Sequence, residues 1–144
     1  MIYINPWTIL AHRGRFLSAT YTGTIPATEV VTDPSTTSPA VTHTLQPPED
    51  KVYCVYYYNF GNSPFEKLYF ALHATGFPLP YPNIYEGVLR QSNHDGPIFL
   101  PGTKIEIRLW NVSSPAADVS YDVTVFYFEV EKEYLRRFFR LPVP

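Results

Sequence analysis

"KVYCVYYYNF", residues 51–60, carries one charge and is otherwise almost wholly apolar or aromatic. A strand in a small domain normally turns one face to the core and the other to water, so its side chains alternate with a period of two. Here the even positions Val52, Cys54, Tyr56, Tyr58 and Phe60 are apolar or aromatic, and so are the odd positions Tyr53, Val55 and Tyr57. Both faces therefore need cover. The stretch is a strand whose second face, the row Tyr53, Val55 and Tyr57, is expected to lie outward.

Working outward from it, β-branched runs recur between proline or Ser/Thr clusters: "RFLSATYT" (15–22), "TEVVT" (28–32) and "AVTHTL" (40–45) before it, and "FEKLYFALHAT" (65–75) and "IYEGVLRQ" (84–91) after it. "TKIEIRLWN" (103–111) alternates most cleanly, with Ile105, Ile107 and Leu109 on one face and Lys104, Glu106 and Arg108 on the other. "DPSTTSP" (33–39) and "NHDGP" (93–97) read as turns, and the prolines of "GFPLPYPN" (76–83) exclude a helix or a central strand there. About eight strands at roughly 8–12-residue spacing predict an all-β fold. The specific expectation is a two-sheet sandwich of jelly-roll type, residues 15–133, with an extended N-terminal arm (1–14) and a C-terminal arm (134–144). A helix signal is present only in "EKEYLRRFF".

The last long run, "VSYDVTVFYFEVEKEY" (119–134), has odd-numbered apolar positions up to Val125 and even-numbered ones from Phe126 to Val130. A strand cannot change faces without a bulge, unless both faces are covered. The far end of this strand is therefore expected to leave the sandwich and pack on something else.

Composition narrows the function. The 144 residues suffice for one domain with a core of its own, and a single cysteine, Cys54, excludes an intrachain disulfide. A net charge of −2 argues against a nucleic-acid binder. No apolar run is long enough to cross a bilayer as a helix, and "MIYINPWTILAHRGR" lacks the pattern of a signal peptide, so the expectation is a soluble, intracellularly folded chain. His12, His43, His73 and His94 show no metal-ligand spacing, and no cofactor is expected. A Cys54/His73 nucleophile–base couple on neighbouring strands is conceivable, but an apolar strand raises a thiol's pKa, and the chain does not read as an enzyme. Asn111-Val112-Ser113 matches a glycosylation sequon by chance. Glu129, Glu131 and Glu133 share a strand face, as a solvated edge or as a site for a cation or for a partner's arginines.

What remains is surface chemistry. Aromatics form 17% of the chain, with 12 Tyr and 10 Phe, and 15 prolines stiffen its connections. Tyr, Phe and Arg are the residues enriched at interface hot spots. The candidate interface residues are Tyr3, Pro6, Trp7, Arg13 and Arg15 near the start, Tyr53, Val55 and Tyr57 on the 51–60 strand, and Phe126, Tyr127 and Phe128 on the last strand. Tyr134, Arg136, Arg137, Phe138, Phe139 and Arg140 in the tail complete the set. That tail reads equally as a capping helix or as an arm inserted into a neighbour. An outward apolar row of this size approaches the largest patch a monomer exposes, and this favours self-assembly.

"LPGTKIEIRLWN" (100–111), a loop, then "YDVTVFYFEVE" (121–131) resembles the closing strands of viral β-sandwich and jelly-roll subunits. With proline- and tyrosine-rich arms at both ends, the chain is similar to the small decoration (cement) proteins of tailed bacteriophages, particularly of thermophilic hosts. The resemblance implies a homo-oligomer, a trimer, seated on the capsid surface of a virion and clamping the major capsid protein; from the charge and the apolar run lengths, no nucleic-acid or membrane partner is expected. The alternative is a β-sandwich carbohydrate-binding or adhesion module that uses Trp7, Trp110 and exposed tyrosines as stacking platforms.

Overall fold

The computed structural model describes residues 11–77, 83–90, 95–140 and 143, without the side chains of 95–97, 138 and 139. The strands are β1 (Arg15–Ile25), β2 (Val41–Leu45), β3 (Lys51–Asn59), β4 (Leu68–Thr75), β5 (Ile84–Val88), β6 (Asp95–Gly102), β7 (Lys104–Asn111) and β8 (Val119–Glu131), followed by helix α1 (Lys132–Phe139). They form two four-stranded sheets, ordered β1-β8-β3-β6 and β2-β7-β4-β5. Antiparallel pairs join β1 to β8, β2 to β7, β3 to β6 and β4 to β5, the pattern of one long hairpin folded over on itself. This is the eight-stranded jelly-roll order, and the expected all-β sandwich is confirmed.

The core lies between the sheets and is built from one face of each strand. Ile105, Ile107 and Leu109 of β7 meet Val119, Tyr121, Val123 and Val125 of β8, with Tyr58, Phe60, Phe70 and Leu72 among them. The clean alternation of 103–111 thus points its apolar side inward, as its period requires.

The 51–60 stretch resolves through a bulge. Its register with both neighbours shifts between Val55 and Tyr57. Before the shift the odd residues Tyr53 and Val55 enter the inter-sheet core; after it the even residues Tyr58 and Phe60 do. One extra residue on a bulged strand exchanges the parity of everything beyond it. The expected outward row is therefore corrected: Tyr53 and Val55 are core residues, and Val52, Cys54 and Tyr56 face outward.

The face change expected on the last strand is corrected as well. β8 is an unbroken strand of 13 residues, in register with β1 from Ile25↔Val119 to Arg15↔Glu129 and with β3 as far as Lys51↔Glu131. Its odd residues stay in the core from Val119 to Tyr127, and the parity ends in the half-buried Glu129 and the exposed Glu131. Its even residues Phe128 and Val130 lie under the chain's own C-terminal segment, so both faces are covered and no switch is needed. The far end does not leave the sandwich.

Two strand assignments change. "TEVVT" is a 3-10 turn over Ala27–Glu29 and a single bridge from Val30 to Asn111, not a strand. Of the expected turn at 93–97, residues 93 and 94 lie outside the described residues, and 95–97 instead open β6, an edge strand that accommodates Pro97 and Pro101 because one side of it needs no ladder donors.

Candidate functional site

The outer face of the β1-β8-β3-β6 sheet holds a second apolar cluster. Val52, Cys54, Phe128 and Val130 are buried there beneath Leu135 of α1 and Val143. An eight-residue helix is too short to be stable alone, so docking of its apolar side holds it in place. The Arg136 Nε–H donates to the Val143 carbonyl at 2.8 Å, and Arg140 ends the helix in the left-handed region at φ 53°. The described part of the 134–144 segment thus caps the domain. Arg137 and Arg140 stay exposed, and Arg13 lies 4.6 Å over the half-buried Tyr134 ring.

Among the described residues Ala11, Phe77 and Phe99 also pack against this cluster, and the face is more open towards β1. Phe16 of β1 is 58% exposed, the most exposed of the large apolar side chains among the described residues. Its ring centre is 5.8 Å from Tyr56, edge-on, and 5.9 Å from Phe128. Tyr57 and Phe126, both half-buried, form a second edge-on pair at 5.9 Å. Further along, the face becomes a hydroxyl ladder, with Thr20 bonded to Thr124 at 2.9 Å and Thr24 to Ser120 at 3.0 Å.

Of the candidate interface residues, the structure thus gathers Tyr56's neighbours Tyr57, Phe126 and Phe128 on one face with the flanking Arg13, Arg15 and Tyr134. It separates Tyr53, Val55 and Tyr127 into the core. Tyr3, Pro6 and Trp7 lie outside the described residues, as do the side chains of Phe138 and Phe139. Phe16 was not singled out from the sequence. Its signal, a phenylalanine on the same parity as Ser18, Thr20, Thr22 and Thr24, was present in the 15–25 alternation.

The remaining sequence candidates have local explanations. The acidic residues are each near a cation: Glu129 faces Arg15 at 3.7 Å, and Glu131, which faces Lys51 at 3.4 Å, lines a surface cleft with Glu133, Lys132 and Arg136 of α1. No metal-binding group of His, Cys, Asp or Glu occurs among the described residues. β3 and β4 lie in different sheets, so the idea of Cys54 and His73 on neighbouring strands is corrected; Cys54 is fully buried, and burial pushes its thiol far above the usual range. His73 instead accepts a hydrogen bond at Nδ1 from Arg108 (3.0 Å), which also donates to Glu106 at 3.0 Å. Burial acts to raise the Glu106 carboxyl, but the hydrogen bond and charge of Arg108, aided by Lys104 and His73, outweigh it and hold the group low.

Asn111 of the sequon is fully buried. Its amide nitrogen donates to the carbonyls of Ile25 and Ala117 at 3.1 and 2.7 Å, and its oxygen accepts from the Ser113 N–H and hydroxyl at 3.0 and 2.7 Å. It ties the end of β1 to the loop before β8. Trp110 is also buried, and its indole N–H donates to the Thr37 carbonyl at 2.9 Å, so its ring is no open stacking platform.

No family model matches the chain. No curated protein matches it either. A solved structure of Bacillus endospore appendages, which form "a novel family of disulfide-linked pili", is similar at TM-score 0.41 and 6% identity, over 82% of this chain and 89% of its own. At that level the likeness carries no argument about function. No helix among the described residues is long and apolar enough to cross a membrane.

Proposed function

We propose that this chain is a structural subunit of a protein shell, a capsid decoration (cement) or minor capsid protein that joins copies of itself and the major capsid protein on the surface of a virion. The observation that carries the reading is the aromatic face around Phe16. A single exposed phenylalanine is ordinary. A phenylalanine 58% exposed, supported by Tyr56 and Phe128 on a rigid sheet and flanked by exposed arginines, has the make-up of an interface anchor. The jelly-roll order agrees with a shell subunit, though lectins and cupins share it, so the weight rests on the face and not on the fold. The carbohydrate-binding reading gains nothing from Trp110, which is buried.

The test is the solution mass, read by light scattering across a concentration series. A multiple of 16.5 kDa is expected, threefold if the resemblance to decoration proteins holds. Phe16→Asp is expected to lower that mass with only a small fall in melting temperature, because most of the ring is already in water. A particle that stays monomeric at high concentration and does not adsorb to capsid shells overturns the proposal.

A further inference from the structure

A sandwich exposes four strand edges, and the chain protects three of them. β2 and β5 are five residues each. β6 carries Asp95, Pro97 and Pro101. Short strands, prolines and charges are the usual guards against edge-to-edge pairing. β1 has none of these. It runs 11 residues, "RFLSATYTGTI", with no proline and with its only charge, Arg15, at its first position. Among the described residues β8 is its one strand partner. Its inward residues Leu17, Ala19 and Tyr21 are only half-buried at the seam between the sheets, where Tyr21 stacks on His43 of β2 at 4.4 Å.

We infer that the free edge of β1 is a self-association site, and that its occupant is β1 of a second copy, antiparallel about a two-fold axis at Thr20. That register pairs all 11 residues. On the outer face it sets Thr20 opposite Thr20, Ser18 opposite Thr22 and Phe16 opposite Thr24, which extends the hydroxyl ladder already formed with β8. On the inner face it sets large beside small, Tyr21 opposite Ala19 and Leu17 opposite Gly23. No like charges meet.

Charge selects the antiparallel direction. One end of β1 carries the exposed Arg13 and Arg15, offset in part by Glu129; the other lies beside the exposed Glu29 and Asp118, the latter bound to the Ala27 N–H at 2.8 Å. Two-fold pairing brings the basic end of each copy to the acidic end of the other, whereas parallel pairing sets like against like. The area suffices: a strip about 37 Å long and about 10 Å deep on β1, with about 17 Å of β2 edge beside it, buries about 1,100 Å² over both copies, close to the lower bound of about 1,000 Å² for a specific interface. The contact is therefore weak and concentration-dependent. It stands independently of the shell reading and leaves the other surfaces free for a three-fold contact.

The test uses the full chain in three variants altered at exposed outer-face positions of β1, the third also carrying Cys54→Ala, a buried change whose control is the Cys54→Ala chain alone. Ser18→Lys with Thr22→Lys places lysines opposite each other twice and is expected to weaken the dimer about tenfold, from the cost of two like-charged cross-strand pairs. Ser18→Lys with Thr22→Glu places Lys opposite Glu twice in the antiparallel register and is expected to restore or exceed wild-type association. Thr20→Cys in a Cys54→Ala background is expected to form a disulfide-linked dimer on oxidation, since paired Cα atoms at about 4.5–5.5 Å lie within disulfide reach. A wild type monomeric by sedimentation at high concentration overturns the inference. So does an assembly whose mass is indifferent to the lysine pair, and that result leaves the proposed shell function standing through another surface. Equal weakening by both double variants rejects the antiparallel register.

Discussion

Leu135→Ala isolates the helix-to-sheet contact and should be read through Cys54. Leu135 is fully buried against Val52, Cys54, Phe128 and Val130, and Cys54 is the chain's single thiol, so any thiol-reagent signal reports on that face alone. While α1 is docked the thiol is inaccessible and burial disfavours its thiolate. Labelling therefore proceeds only from molecules in which the cover has opened. Removing a buried leucine side chain costs about 2–4 kcal/mol, so the open population, and with it the labelling rate, should rise about 30- to 700-fold. The assay is stopped-flow or manual labelling at pH 8 with a chromogenic disulfide, wild type against variant, at equal protein concentration. A rate within about threefold of wild type, below the smallest rise expected from a leucine deletion, refutes the reasoning. It would mean that the apolar outer face is shielded by something other than this helix.

Three further outcomes follow from local geometry. Asn111→Ala strands several buried partners, at about 1–3 kcal/mol for each group left unsatisfied, and should lower the melting temperature by about 10 °C; a fall under about 3 °C would show that water replaces the amide. Burial between Tyr21 and Tyr121 holds the folded His43 pKa below its ordinary 6.5, so the unfolded chain takes up the proton first; stability should be full above about pH 7 and fall as pH drops towards the depressed folded value. His43→Gln should flatten that slope between pH 7 and 5, and an unchanged slope assigns it to other groups. Gly61 sits at φ +53° where a Cβ would come within 2.7 Å of the Asp122 carboxylate, so Gly61→Ala should cost about 1–2 kcal/mol in denaturant melts, and a neutral result would mean that the turn relaxes freely.

The strands that could be read directly are those with one face in water. Lys104, Glu106 and Arg108 alternate with Ile105, Ile107 and Leu109, and the run lies where that pattern put it. β1 was readable for the same reason. β6 was not, because Pro97 and Pro101 are turn signals unless the strand is already known to be at an edge. Edge position is a property of pairing between distant residues; Arg15 and Glu129 are partners across most of the chain. The bulge at Tyr56 was equally hidden. Where both parities are apolar, a shift of one residue leaves no mark in the pattern, and only the partners' register reveals it.

That concealment decided which surface looked available for assembly. The row Tyr53, Val55 and Tyr57, with Tyr127, suggested an uncovered β3–β8 face, yet three of these four side chains fill the core, and Tyr57 is half-buried against Phe126. Of the true outer residues of β3, Val52 and Cys54 are buried in the cluster that Leu135 of α1 shares with Val143, Phe77 and Phe99. Among the described residues, the large apolar side chains still exposed are Phe16, Phe65, Ile84 and Tyr85. Ile84 and Tyr85 lie on the short edge strand β5, and Phe65 lies in the connection before β4. Only β1 combines an exposed aromatic anchor with a long unguarded hydrogen-bonding edge and a half-buried seam beneath it. The two kinds of contact also differ in what disrupts them: a charge at Phe16 acts on the face, whereas lysines at Ser18 and Thr22 act on the edge. If both substitutions leave the mass unchanged, intramolecular packing already satisfies this sheet, and its aromatic richness serves stability alone.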